Sequence, residues 1–136
     1  MRDLVFILIF TILLQGYPAL AQEKALSATI IDNQDVQTDI QNVRIYWEEK
    51  VGEAAFIPHE AINLPVRKGS TTVHVSLGTI RKIEVERKKE LVIIRITLST
   101  GKTGEFTPPM SFQVIGSSEF GEVRIPIEEV KTVTFK

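Results

Sequence analysis

The chain contains no cysteine among its 136 residues, so no disulfide can support the fold. Stability must therefore come from burial of apolar side chains and from strand pairing. No Asn is followed two positions later by Ser or Thr, which excludes asparagine-linked glycosylation. With 43% apolar and 24% charged residues, the composition is that of a globular chain rather than a disordered one.

An excess of positive charge is missing as well. The 16 basic and 17 acidic residues give a net charge of −1 and are spread along the sequence. Proteins that bind nucleic acids usually carry a basic patch, because neutralising phosphates supplies most of their affinity. The densest basic run, residues 87–89, is bracketed by Glu86 and Glu90. We therefore expect a solvated turn at this run and no nucleic-acid partner.

Catalytic and metal-binding motifs are also missing. The two histidines, His59 and His74, lack the companion ligands that a zinc site requires. The sequence has neither a G-x-S-x-G elbow for a serine nucleophile nor a Gly-rich phosphate loop. Residues 116–121 come nearest to an elbow, but their composition is typical of a turn between strands. We expect no catalytic, metal-binding or cofactor-binding residues, and therefore no cofactor.

The first feature that is present is an apolar segment at residues 4–14. A short charged start precedes it, and a small-x-small site that ends at Ala21 follows it, which is typical of a secretory signal peptide. The segment is too short to span a hydrocarbon core, which takes about 20 helical residues. We predict a signal peptide at residues 1–21, cleaved after Ala21, export to the periplasm or the exterior, and no stable membrane span afterwards. A retained membrane anchor is the alternative.

One sequence pattern occurs twice. Residues 73–85 read VHVSLGTIRKIEV, and residues 123–135 read VRIPIEEVKTVTF. This match predicts a tandem duplication of a unit of about fifty residues. The matched apolar positions are Val73, Val75, Leu77, Ile80, Ile83 and Val85 in the first copy, and Val123, Ile125, Ile127, Val130, Val133 and Phe135 in the second.

Weaker matches extend the repeat upstream. Residues 64–66 align with residues 112–114, and residues 28–31 align with residues 95–98. The offsets of these two alignments are 48 (112 − 64) and 67 (95 − 28). The first copy then carries an insertion near residues 43–56.

The spacing inside the repeat predicts its local structure. Apolar residues alternate with period two from Val73 to Leu77, step by three to Ile80, and alternate again from Ile83 to Val85. Period two marks a strand with one buried face, and a step of three fits a single 3₁₀ turn. Strand, 3₁₀ turn and strand is the ending of small barrels of the Sm or SH3 type. We predict an all-β fold in which such a barrel unit is duplicated; a single β-sandwich formed by both copies is the alternative.

The remaining segments also favour strands. Residues 91–98 are rich in β-branched side chains, and residues 99–102 have the composition of a hairpin turn. A helix over residues 48–57 is an alternative that Gly52 disfavours. The predicted domains are a first β unit at residues 22–86, with the insertion near residues 43–56, and a second β unit at residues 91–136.

The end of the chain resembles a recurrent sequence ending. Residues 120–135 read FGEVRIPIEEVKTVTF. This run is similar to the ending of exported bacterial proteins of unknown function, in which it closes a small β-domain. The resemblance implies a structural role for the run and no particular reaction, cofactor or ligand. The first copy departs from the pattern, since Thr71-Thr72 replaces Phe-Gly and Ser76 replaces Pro.

The only tryptophan, Trp47, follows Tyr46 in the insertion. Aromatic residues with polar ends are enriched at protein interfaces, so both residues are candidates for binding a partner. With period two, however, Trp47 shares a face with Ile45, and filling the core is the competing interpretation.

These observations predict an exported, non-enzymatic β-domain that acts as an interaction or binding module in the cell envelope. Its partner would be a protein or another envelope component, and unpaired strand edges would allow oligomerisation. A small enzyme or enzyme subunit, with a site between the repeats that includes His59 and Glu60, is the alternative. An outer-membrane barrel is a third hypothesis, which the aromatic content of 7% disfavours.

Overall fold

The computed structural model describes residues 25–136. The all-β prediction is confirmed, since strands and two 3₁₀ turns make up the regular structure in that range. The predicted signal peptide lies outside the described residues, and its cleavage stays a prediction. No helix in the described part of the chain is long and apolar enough to cross a membrane. The strands are β1 (Ser27–Asp32), β2 (Gln37–Val51), β3 (Ala55–Ala61), β4 (Asn63–Lys68), β5 (Thr71–Ser76), β6 (Ile80–Lys88), β7 (Leu91–Leu98), β8 (Thr103–Phe106), β9 (Gln113–Ser118), β10 (Gly121–Pro126) and β11 (Val130–Phe135).

The two 3₁₀ turns lie where the step of three predicts them. Leu77–Thr79 separates β5 from β6, and Ile127–Glu129 separates β10 from β11. In the first turn the N–H of Ile80 donates to the carbonyl of Leu77, which brings both side chains to the same core. Pro126 ends β10, and within residues 25–136 β10 pairs with β9 alone. A proline is tolerated there because an edge strand does not need every N–H.

Nine strands of the described chain form one sheet. Its order is β10-β9-β2-β1-β11-β6-β7-β8, with β3 attached to β2, while β4 and β5 form a separate hairpin. The sheet is an open path, so continuous ladders do not close the predicted barrels. A single bridge between Arg67 and Thr107 marks the approach of β4 to the end of β8.

The ladders connect the two predicted units instead of keeping them apart. β1 of the first unit pairs with β11 of the second, and β2 pairs with β9. In the other direction, β6 of the first unit pairs with β7 of the second. Apart from β3, which pairs with β2, the strands therefore sort into one set of β1, β2, β9, β10 and β11 and another set of β4 to β8. Each set takes strands from both predicted units, so the units are intertwined.

Hydrogen bonds at the turns repeat in the two sets. The N–H of Asn33, in the β1–β2 turn, donates to the carbonyl of Glu129 at 3.0 Å. The N–H of Ser99, in the β7–β8 turn, donates to the carbonyl of Thr79 at 2.8 Å. Each turn therefore docks on the 3₁₀ turn of the other predicted unit.

The ladders correct both upstream alignments of the repeat. Leu64 lies opposite Val75, and Val114 lies opposite Ile125, the position that matches Val75 in the repeat. Leu64 and Val114 are therefore equivalent, at an offset of 50 (114 − 64). By the same comparison on β11 and β6, Ile30 and Ile96 are equivalent, at an offset of 66 (96 − 30). Short runs of aliphatic residues match at neighbouring offsets, and only the pairing distinguishes them. The duplication itself stays a prediction.

The core is one contiguous cluster of aliphatic side chains with a single buried Phe, drawn from both predicted units. At its centre, four directly opposed residues form a row across β1, β11, β6 and β7, and each is at most 2% exposed. Burying one such side chain contributes roughly 1.5–3 kcal/mol. The row consists of Ile30, Val133, Ile83 and Ile96.

Separating the predicted units tests the intertwining. A fragment of residues 22–86 retains β1 but lacks β11, and a fragment of residues 91–136 retains β7 but lacks β6. We expect each fragment to be unfolded alone by circular dichroism and amide NMR, and the two to regain native spectra when mixed. Independent folding of either fragment would show that the units pair internally.

Gly116 has no room for a side chain. The sequence places it in a turn, but it lies buried within β9, and a Cβ there would come 2.8 Å from the carbonyl oxygen of Gln41 and 3.2 Å from Ile40. Gly116→Ala should lower the free energy of unfolding by about 1–3 kcal/mol, because backbone must move. Gly78→Ala is the matched control, since the nearest atom to its Cβ lies at 3.8 Å and a change within about 0.5 kcal/mol is expected. Equal urea midpoints for the two variants would contradict this account.

Candidate functional site

The insertion near residues 43–56 forms a projecting β-hairpin. β3 pairs only with β2 within the described range, from Ala61 opposite Ile45 to Ala55 opposite Val51. On its other edge β2 pairs with β9 only as far as Tyr46. Beyond that residue the two hairpin strands have only each other, and nearly all of their residues are exposed. The turn contains Gly52 at a φ of +73°, a backbone conformation that suits glycine. The helix alternative for residues 48–57 is therefore wrong.

One face of the hairpin carries the tryptophan. Trp47 lies directly opposite His59, and their rings stack at a centroid distance of 5.3 Å with 13° between their planes. The Nε2 atom of His59 lies 2.9 Å from a carboxylate oxygen of Glu49. Trp47 is half-buried: part of its side chain packs against the core, and part remains accessible to solvent. It therefore contributes to the core and leaves a surface that a partner can contact.

The same face continues to an apolar tip. Opposed residues of an antiparallel pair share a face, so Val51 and Ile57 lie on the side of Trp47 and His59. Val51 and Ile57 are each 45% exposed. We call Trp47, His59, Ile57 and Val51 the hairpin face. Its two aromatic rings lie nearer the sheet and its two aliphatic side chains nearer the tip, and Glu49 lies on the same side of β2.

The opposite face is more polar and carries Tyr46. The hydroxyl of Tyr46 donates to a carboxylate oxygen of Glu48 at 2.9 Å, and the guanidinium of Arg124 lies 4.7 Å from the centre of the Tyr46 ring. Accepting this hydrogen bond, Glu48 stabilises the neutral phenol and raises the pKa of Tyr46 above its usual value. Phe56 lies on this face and is 56% exposed.

The two candidate catalytic residues of the alternative hypothesis do not converge. His59 and Glu60 are neighbours on β3 and therefore point to opposite faces. Glu60 forms an ion pair with Arg44, while His59 faces Glu49. In residues 25–136 no three His, Cys, Asp or Glu side chains are grouped so that they could hold a metal ion.

The outer edge of β3 is interrupted by proline. Pro58 lies in the middle of the strand, opposite Glu48. Since proline has no N–H, it cannot donate to a strand added along this edge. Prolines at edges oppose strand addition for this reason. The hairpin is therefore better suited to binding through side chains than through its backbone.

The structure places Tyr46 and Trp47 on opposite faces of β2, so they cannot contact one partner surface together as neighbours. Their role in binding stays a prediction. Val51, Phe56 and Ile57 did not emerge from the sequence as candidates. Their only signal is that they are large apolar residues that flank a Gly-containing turn inside the insertion.

Replacing Glu48 tests the network around Tyr46. Glu48→Ala removes the carboxylate that accepts the hydrogen bond and stabilises the neutral phenol, so the pKa of Tyr46 should fall towards its usual value. NMR of the Tyr46 ring across alkaline pH measures the change. Glu49→Ala is the control, because this carboxylate lies on the other face beside His59. An equal fall in both variants would show a general charge effect instead of a specific hydrogen bond.

Comparison with known proteins identifies a family that matches most of the chain. A family model described as "Uncharacterised protein" matches residues 23–136. No curated protein and no solved structure matches the chain. The match agrees with the expected group of unknown function, whereas export and the specific closing motif stay predictions.

Proposed function

The chain belongs to this family of uncharacterised proteins, and we propose that it is an exported, non-enzymatic interaction module of the cell envelope. The hairpin face binds a protein partner or another envelope component. The observation that carries the proposal is the exposure of large apolar side chains on a hairpin that projects from the sheet. Two of them, Val51 and Ile57, lie on the same face as the half-buried Trp47.

We further propose that each set of five strands is a small unit of the Sm or SH3 type and that the two sets arose by tandem duplication. The matching 3₁₀ turns and the matching turn hydrogen bonds support this origin. In this view the hairpin is an addition to one unit, since β2 runs over 15 residues whereas β8, at the same place in the other set, has four.

Burying the exposed hairpin face against a partner would remove apolar side chains from water, which favours binding. Exposed aromatic and aliphatic side chains that lie together on a soluble surface are characteristic of interaction sites. The projecting position lets a partner contact the face without moving the core. The ion pair between Arg44 and Glu60 lies at the base of the opposite face, where it holds β3 against β2.

Site-specific photocrosslinking in intact cells tests this function. A benzophenone amino acid at position 57 should crosslink to a partner in the cell envelope, and Val51→Ser should weaken that crosslink at least several-fold. A benzophenone at position 91 is the control, because Leu91 is 57% exposed on the separate β6–β7 hairpin. The crosslinked chain should begin at Gln22.

Two outcomes would count against the proposal. Crosslinking of equal strength from positions 57 and 91 would show adventitious contact. A partner crosslinked in the cytoplasm to a chain that retains residues 1–21 would refute export.

A further inference from the structure

A second surface lies at the other end of β2, away from the hairpin. A cleft of about 730 Å³ opens between residues 37–41, at the start of β2, and residues 117–120, at the β9–β10 turn. Five consecutive residues of one strand line it. Ser27, at the start of β1, and Lys136, after β11, complete its lining.

Within residues 25–136, the outer edge of β2 at residues 37–40 has no strand beside it. β1 pairs with one edge of β2 over residues 37–41, from Gln37 opposite Ile31 to Gln41 opposite Ser27. On the other edge, β9 reaches only as far as Gln41, which lies opposite Ser117. In the part of the chain that the structure describes, residues 37–40 are therefore paired on one side only.

Two hydrogen bonds fix which backbone groups point to the open edge of β2. The N–H of Asp32 donates to the carbonyl of Val36 at 3.1 Å, so Val36 directs its carbonyl towards β1. The hydroxyl of Ser117 donates to the carbonyl of Gln41 at 3.4 Å, so Gln41 directs its carbonyl towards β9. Because backbone groups alternate between the two edges of a strand, the N–H and C=O groups of Gln37 and Asp39 point away from β1, to the open edge of β2 beside the cleft.

An exposed aromatic ring forms one wall of the cleft. Phe120, at the tip of the β9–β10 turn, is 100% exposed, whereas the other large apolar side chains with appreciable exposure reach at most 58%. Gly121 follows at a φ of +124°, a conformation that glycine adopts without strain. Packing this ring against an apolar side chain of a ligand would remove apolar surface from water and so stabilise the complex.

The charges of the cleft favour a basic ligand. Asp39 and Glu119 supply two carboxylates against the single ammonium of Lys136. The hydroxyl of Thr29 donates to Asp39 at 2.7 Å, and Lys136 lies 3.6 Å from it, so Asp39 is held in its ionised form. A ligand with a Lys or Arg side chain would compensate this negative excess.

We propose that the cleft binds a short, extended, basic peptide segment of a partner protein as an added strand on β2. The backbone of the segment exchanges hydrogen bonds with Gln37 and Asp39, and an apolar side chain packs against Phe120. The segment lies beside residues 37–40 of β2, in line with β9 and beyond its end at Ser118. The open stretch of four residues spans about 13 Å, so about four residues of the ligand pair with it. This surface is separate from the hairpin face and does not depend on it.

Amide hydrogen exchange of the purified protein gives the first test. The amides of Gln37 and Asp39 should exchange at least tenfold faster than those of Thr38 and Ile40, which point towards β1. Equal protection of all four amides would show that the edge is already paired and would overturn the proposal. Protection of Gln37 and Asp39 that grows with protein concentration would identify a second copy as the occupant and would likewise overturn it.

A phage-displayed library of random linear octapeptides gives the second test. Enriched sequences should contain Lys or Arg, an apolar residue and no internal Pro. A synthetic enriched peptide should slow exchange at Gln37 and Asp39, and its affinity should fall at least tenfold with Phe120→Ser and with Asp39→Lys. Phe56→Ser is the control, since Phe56 is exposed on the separate hairpin, and should leave the affinity unchanged. Failure to enrich any peptide, or enriched peptides insensitive to Phe120→Ser, would refute the proposal.

Discussion

The fold depends on one row of buried side chains that crosses four strands. Ile30, Val133, Ile83 and Ile96 lie directly opposite one another on β1, β11, β6 and β7. Because the first and last strands of the described chain meet in this row, the complete core needs both of them. Without disulfides, the cohesion of the two strand sets rests on this apolar contact and on the ladders beside it.

The 3₁₀ turns make the row possible. After Leu77 and after Ile127 the chain must continue in a new direction without losing its buried face, and a turn of three residues achieves this. The turns are in turn fixed from outside, since Asn33 and Ser99 donate hydrogen bonds to their last carbonyls. Each of these donors belongs to the predicted unit that does not contain the turn, so each 3₁₀ turn is held by a hydrogen bond from the other unit. The shape of the turns and the intertwining of the two units therefore depend on each other.

The sequence predicts local structure well here and pairing poorly, for a physical reason. Apolar spacing identified both 3₁₀ turns, since burial dictates where Leu77 and Ile80 must face. It could not show that β1 pairs with β11, because either copy's last strand offers the same apolar pattern to β1. Gly116 is mistaken for a turn residue for a similar reason: glycine permits a turn, but here it permits close approach of β9 to Ile40 and Gln41. Of the candidate site, Tyr46 and Trp47 were found from composition, whereas the exposure of Ile57 and Phe120 depends on where strands end.

The ends of strands also explain why binding is expected at two different kinds of surface. At the hairpin, β3 has an open outer edge, but Pro58 removes a donor from its middle, so recognition is left to side chains such as Ile57. At the start of β2 no proline interrupts residues 37–40, and β9 turns away before covering them. The backbone of Gln37 and Asp39 therefore keeps its capacity to pair. A missing donor at one edge and free backbone groups at the other therefore favour side-chain contacts at the hairpin and strand addition at the start of β2.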